Sequence, residues 1–260
     1  MQNSLKNKKI VVTKGGEQTG QSLSLLEKAG AEILYFPVLK IITLYNNPLM
    51  DVCLAKFSDY DYLIFTSVNS VESFEAYCQS VNFEPNYYNI SVAVVGQKTK
   101  SKCGEAGIPV SITPKEYSAK GLLEAFSKYD IKGKKILIPC SAIARDELKT
   151  GLEKAGAVID PVPVYDVVVP DKQDVKDEID LINKNNYDVF IFTSPSALNN
   201  FISLLDISSE TDFFKKKIIA AIGTTTAEAL RNKNLAVNII PDEFTLEGVS
   251  QKLIDYFNTH

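Results

Sequence analysis

Short polar side chains recur at four places in the chain: Thr66, Ser67 and Asn69 in FTSVN; Thr193, Ser194 and Ser196 in FTSPS; Gly96, Gln97, Lys98 and Thr99 in GQKT; and Gly223, Thr224, Thr225 and Thr226 in GTTT. Each group follows a short apolar run and opens a stretch with helical spacing, so each sits where a strand gives way to a helix. Two kinds of chemistry fit that position. A side-chain oxygen there caps the helix by accepting from an orphan N–H. The same turn also aims backbone N–H groups and the positive end of the helix dipole at any nearby anion. Capping uses one residue per helix, and three consecutive threonines after Gly223 exceed it.

Cations stand at similar places. Lys14 directly follows the first apolar run, and Arg145 lies in PCSAIARDEL just after Ser141. Lys98 opens a helix, where a cation is disfavoured unless an anion compensates it. A solvated surface charge is the plain alternative for Lys14 and Arg145. Tyr165, in PVPVYDVV, is a phenol that serves either as an acid or as packing.

Other chemistries are excluded by what is missing. The only histidine is the terminal residue His260, which removes Ser–His–Asp and Cys–His catalysis. No His/Cys cluster has metal-ligand spacing, so no metal is expected. The turn TKGGEQTG at 13–20 matches neither the dinucleotide nor the P-loop pattern. Cys53, Cys78, Cys103 and Cys140 are widely spaced and read as buried thiols in a reducing compartment. A net charge of −4 argues against a general nucleic-acid partner, so an acidic ligand must be met locally. No apolar run approaches the roughly 18–20 residues that span a bilayer, and the N-terminus lacks a signal-peptide pattern. A cytoplasmic monomer without a membrane partner is expected.

The elements that must position these residues occur twice. YDYLIFTSVNSVESF from Tyr60 is answered by YDVFIFTSPSALNNF from Tyr187, an offset of 187 − 60 = 127, which also carries Gly96 onto Gly223 and Gly121 onto Gly248. At an offset of 134 − 8 = 126, KKIVV falls on KKILI, and LLEKAGAEI on GLEKAGAVI. The β-branched runs IVVT, LIFTS, VAVVG, ILIP, FIFTS and IIAAIG read as strands buried on both faces. Helical stretches at 19–29, 67–80, 97–106, 144–155, 194–205 and 224–233 alternate with them. That alternation gives a doubly wound α/β domain, twice over.

The runs 32–42 and 158–169 are repeat partners about twice the usual strand length. Each is expected to leave one sheet for the other, with Pro37 and Pro163 at the crossing because proline cannot donate to a central ladder. The expected domains are therefore 1–36 with 170–260, and 43–162. Residues 37–42 and 163–169 form an antiparallel two-stranded hinge beside a cleft.

Together the duplicated FTS blocks, the VVGQKT and AIGTTT turns, the closing segments from Pro114 and Pro241 and the VYDVV run resemble the uroporphyrinogen-III synthase family, over nearly the whole chain from Lys9 to Tyr256. The resemblance implies two similar flavodoxin-like domains joined by a two-stranded ladder. It also implies a cofactor-free lyase of haem biosynthesis: hydroxymethylbilane loses its terminal hydroxyl as water, the D ring is inverted through a spiro intermediate, and the macrocycle closes. By position, Tyr165 matches the family's hinge tyrosine, which helps the hydroxyl leave. Thr66, Ser67, Thr99, Ser194, Thr225 and Thr226 match cleft-lining positions. Lys14 departs from the pattern, since the family commonly carries arginine there, and lysine lacks its bidentate fork. The rival reading is a two-domain cytosolic protein that closes on an anionic ligand without chemistry.

Overall fold

The computed structural model describes residues 4–15 and 17–259. Gly16, within the 13–20 turn, and the terminal His260 lie outside the described residues. The chain opens with β1 (Lys9–Val12), α1 (Glu17–Lys28) and β2 (Glu32–Tyr35). There follow β3 (Lys40–Thr43), α2 (Pro48–Ala55), β4 (Tyr62–Phe65), α3 (Val68–Ser80), β5 (Ser91–Val94), α4 (Gln97–Glu105), β6 (Val110–Ile112), α5 (Ala119–Phe126), β7 (Lys135–Ser141), α6 (Glu147–Lys154) and β8 (Val158–Val168). The last third contributes α7 (Lys176–Lys184), β9 (Val189–Phe192), α8 (Pro195–Leu204), α9 (Glu210–Phe213), β10 (Ile218–Ala221), α10 (Thr224–Asn232) and α11 (Leu246–Thr259).

Two compact units result, Met1–Lys40 with Val169–His260, and Ile41–Val168. The first holds a four-stranded sheet in the order β10-β9-β1-β2, with every pair parallel. The second holds a six-stranded sheet in the order β3-β8-β7-β4-β5-β6, parallel from β8 to β6.

The continuous apolar runs are explained by burial on both faces of each sheet. In the second unit Leu63 and Phe65 pack with Met50 and Phe74, while Ile64 between them packs with Leu122, Phe126 and Leu152. In the first, Phe190 and Phe192 join Phe36, Phe201 and Phe214, and Val189 and Ile191 join Leu23, Leu26 and Leu253. Each such side chain contributes about 1.5–3 kcal/mol on leaving water. Helices therefore cover both faces, as a parallel sheet requires.

Two expectations need correction. The run 158–169 does not change sheets: β8 stays in the second sheet, with Lys135↔Val158 through Cys140↔Pro163 in register and Ser141↔Tyr165 after a shift. Pro163 is accordingly in an interior strand, between β3 and β7. Its carbonyl is satisfied by a side chain, accepting from Asn47 Nδ2 at 2.6 Å. The run 32–42, by contrast, is broken into β2 and β3, which belong to different sheets.

Two glycines are fixed by close approach. A Cβ on Gly121 would lie 2.1 Å from the Glu116 carbonyl oxygen, and one on Gly248 would lie 2.3 Å from that of Glu243. The turns preceding α5 and α11 are tight because Ser118 N–H donates to Glu116 O and Thr245 N–H to Glu243 O. Gly121→Ala and Gly248→Ala should each cost about 1–3 kcal/mol by forcing the backbone apart. Gly104→Ala, with nothing within 4 Å of the added Cβ, should be neutral or slightly stabilising. Urea midpoints of the three variants check this contrast.

Candidate active site

In a doubly wound sheet, ligand sites form at the carboxyl ends of the strands, where the strand order reverses. In the second unit that point lies between β7 and β4, and a cavity of about 460 Å³ opens there. Thr66 after β4, Ser141 at the end of β7, Arg145 ahead of α6 and Tyr165 on β8 all line it, so the fold assembles four of the sequence-predicted residues. Its apolar walls include Val95, Ile138, Leu148 and Pro161. Arg145 and Lys149 supply cationic charge, with Asp146 and Glu147 beside them.

Tyr165 is 7% exposed, and its Oη lies 3.1 Å from Ser67 Oγ. Ser67 is the N-cap of α3. Its Oγ accepts from Ser70 N–H at 3.1 Å, while Ser70 Oγ donates to the Ser67 carbonyl at 2.7 Å. The Ser141–Tyr165 register brings the phenol to the end of β7, and Ala142 N–H donates to the Tyr165 carbonyl at 2.9 Å. Ser141 Oγ accepts from Ile143 N–H at 3.3 Å. Cys140 also lines the cavity, but burial pushes its thiol up to about 11, so it stays protonated at neutral pH.

Of the remaining predicted residues of this unit, Asn69 follows β4 as Thr66 does, and the Gly96–Thr99 group stands one strand further out, after β5. Asn69 is in the first turn of α3, and Gln97, Lys98 and Thr99 begin α4 behind Gly96. Gln97 and Lys98 are exposed, and Thr99 is buried. Gly96 carries no side-chain cap, and α6 behind Asp146 also starts without one.

In the first unit the order reverses between β1 and β9. Thr13 ties the two strand ends together: its Oγ1 donates to Ile191 O at 3.0 Å, and Thr193 N–H reaches Thr13 Oγ1 at 3.4 Å. Lys14 is exposed beside this junction. Ser194 caps α8 by accepting from Ala197 N–H at 3.0 Å and shares a 3.0 Å hydrogen bond with Ser196 Oγ. Gly223 opens α10 with no side-chain cap. Of its three threonines, Thr224 and Thr225 are exposed and Thr226 is buried.

The sequence reading missed Ser118, Cys140 and Lys149, all on the cavity wall. Ser118 caps α5, and its Oγ accepts from Gly121 N–H at 3.0 Å, as Thr245 Oγ1 does from Gly248 N–H in the other unit. The repeat that pairs Gly121 with Gly248 pairs Ser118 with Thr245 as well, a signal sufficient to find it. Among the described residues no three His, Cys, Asp or Glu side chains gather as a metal site. Nor is any described helix long and apolar enough to cross a membrane.

A family model described as "Uroporphyrinogen-III synthase HemD" matches residues 21–251. A relative from Methanocaldococcus jannaschii is 33% identical over 244 residues, covering 93% of this chain and 95% of its own. The uroporphyrinogen-III synthase of Synechococcus elongatus is 26% identical over 246 residues, covering 93% and 92%. Among solved structures, uroporphyrinogen-III synthetase from Helicobacter pylori matches with a TM-score of 0.63 at 17% identity, over 96% of this chain and 99% of that one. A mutant Thermus thermophilus uroporphyrinogen III synthase matches at 0.57 and 16%, over 97% and 100%. At such identities the structures speak for the mixed α/β fold with parallel sheets alone. The family model spans nearly the whole chain, and the chain belongs to the uroporphyrinogen-III synthase family.

Proposed function

We propose that this chain cyclises hydroxymethylbilane to uroporphyrinogen III, with Tyr165 as the acid that helps the terminal hydroxyl depart. The observation that carries the assignment of Tyr165 is its placement: a phenol at the carboxyl edge of a parallel sheet, on the wall of a cavity with apolar sides and an arginine. The C–O bond breaks with its electron pair going to oxygen, and the phenol proton completes water. Ring inversion through the spiro intermediate then depends on holding the bilane in a closing geometry.

Recognition of an acidic tetrapyrrole falls to distributed donors. Backbone N–H groups at the uncapped starts of α4, α6 and α10 suit carboxylates, and Lys14, Lys98 and Arg145 add charge. Thr66, Asn69, Gln97, Ser141, Ser194, Ser196, Thr224 and Thr225 are proposed as further donors at the same strand ends. Thr99 and Thr226, in the first turns of α4 and α10, are both buried and are not counted among these donors. On this view Ser194→Ala should reduce kcat/KM only a few-fold, since it removes one donor among many; steady-state rates of the folded variant check this.

The two units are read as flavodoxin-like domains arisen by internal duplication. Counted from β1, the first sheet runs β2-β1-β9-β10 with a parallel bridge from Ala220 to Ile239. Counted from β7, the second runs β8-β7-β4-β5-β6, the same 2-1-3-4-5 order. Residues 37–42 and 163–169, which contain both passages between the units, are proposed as a hinge that lets the protein close on its substrate. Multiple turnover tests the function: a trace of protein should convert excess bilane to many equivalents of uroporphyrinogen III, whereas a ligand-binding protein yields none.

A further inference from the structure

We propose that Ser67 acts through Tyr165, its hydroxyl donating to the phenol oxygen so that the phenol proton is left for the departing hydroxyl. This inference rests on the proposed role of Tyr165 and reassigns Ser67 from substrate donor to positioning residue. A serine hydroxyl has one proton to give and two lone pairs to accept with. At Ser67 one lone pair is engaged by Ser70 N–H at 3.1 Å. The other partner of Ser67 Oγ is Tyr165 Oη at 3.1 Å, the one acceptor among the described residues within reach of the Ser67 proton.

The direction of that bond follows. If Tyr165 donated to Ser67, the serine proton would have no acceptor among the described residues and the phenol proton would be spent on Ser67. If Ser67 donates, both protons are used. The Ser67 oxygen is also held in place: Ser70, fully buried, accepts from the Ser67 N–H through its Oγ at 3.3 Å and donates to the Ser67 carbonyl at 2.7 Å. Thr66 and Tyr165 line the cavity and the half-buried Ser67 does not, so of the two hydrogen-bonded hydroxyls it is the phenol that faces the cavity.

The test is a double-mutant cycle in the full chain. Ser67→Ala should lower kcat about tenfold with KM nearly unchanged, and Ser67→Thr, which keeps both the cap and the hydroxyl, should restore most of it. In a Tyr165→Phe background the same Ser67→Ala change should do almost nothing further to kcat, because the hydroxyl it serves is gone. Melting temperatures separate out the lost cap, which lowers stability equally in both backgrounds. Full additivity of the two changes, or a KM effect that persists in the Phe background, overturns the inference while leaving the synthase reading intact. A wild-type chain that turns over normally with a silent Tyr165→Phe change overturns it too. A wild-type chain that makes no uroporphyrinogen III removes both readings.

Discussion

Tyr165→Phe is expected to lower turnover about tenfold to a hundredfold with little loss of stability. General acid catalysis is typically worth ~10²–10⁴-fold, and a hydroxyl leaving from a carbon beside an electron-rich pyrrole needs the lower end of that help. The ring remains to fill its place beside Ser67 and the end of β7, and only one hydrogen bond, the 3.1 Å contact with Ser67 Oγ, is lost. That loss is about 0.5–1.5 kcal/mol. Packing alone would give the opposite pattern, a silent Phe variant and a Tyr165→Ala variant destabilised by about 3–5 kcal/mol, as for a buried aromatic. Melting temperatures and rates of isomer-III formation for both variants distinguish the two roles.

Arg145→Ala should raise KM for hydroxymethylbilane about tenfold and leave both kcat and stability nearly unchanged. The guanidinium is exposed on the cavity wall and makes no hydrogen bond or ion pair among the described residues. Truncation therefore leaves no buried group unpaired, and the folded state should change by no more than about 0.5 kcal/mol. A carboxylate held by a fork of N–H donors contributes roughly 1.5–3 kcal/mol, and binding that is equal in ground and transition states appears in KM alone. Arg145→Lys should fall between, since it retains charge without the fork. Steady-state kinetics at fixed ionic strength measures all three proteins on one scale.

The strands and most helices were legible because burial on both faces leaves an unmistakable mark. Leu63, Ile64 and Phe65 are all apolar since each faces a helix. The repeat was equally plain, because Gly121 and Gly248 are held to glycine by a carbonyl at 2.1 and 2.3 Å. What the sequence concealed is spatial pairing. Ser67 and Tyr165 are 165 − 67 = 98 residues apart, and only the placement of β8 beside β7, with β4 on the other side, brings them together. The 158–169 run illustrates the same limit: its length suggested a crossing, but pairing with β7 along 158–165 keeps it in one sheet. Pro163 was misleading for a local reason, because the β7–β8 register shifts directly beside the Cys140–Pro163 pair, and an irregularity of that kind tolerates a residue with no N–H to give. Ser118 was legible in principle, as a capping serine whose repeat partner is Thr245, but its place on the cavity wall depends on where α5 packs.

The identity of the macrocycle formed from hydroxymethylbilane decides the central claim. Purified protein, given the bilane and then an oxidant, should yield uroporphyrin III well in excess of the I isomer that arises when the chain closes without ring inversion, and chromatography separates the two. Uroporphyrin I alone, from a folded protein at neutral pH, would contradict the account.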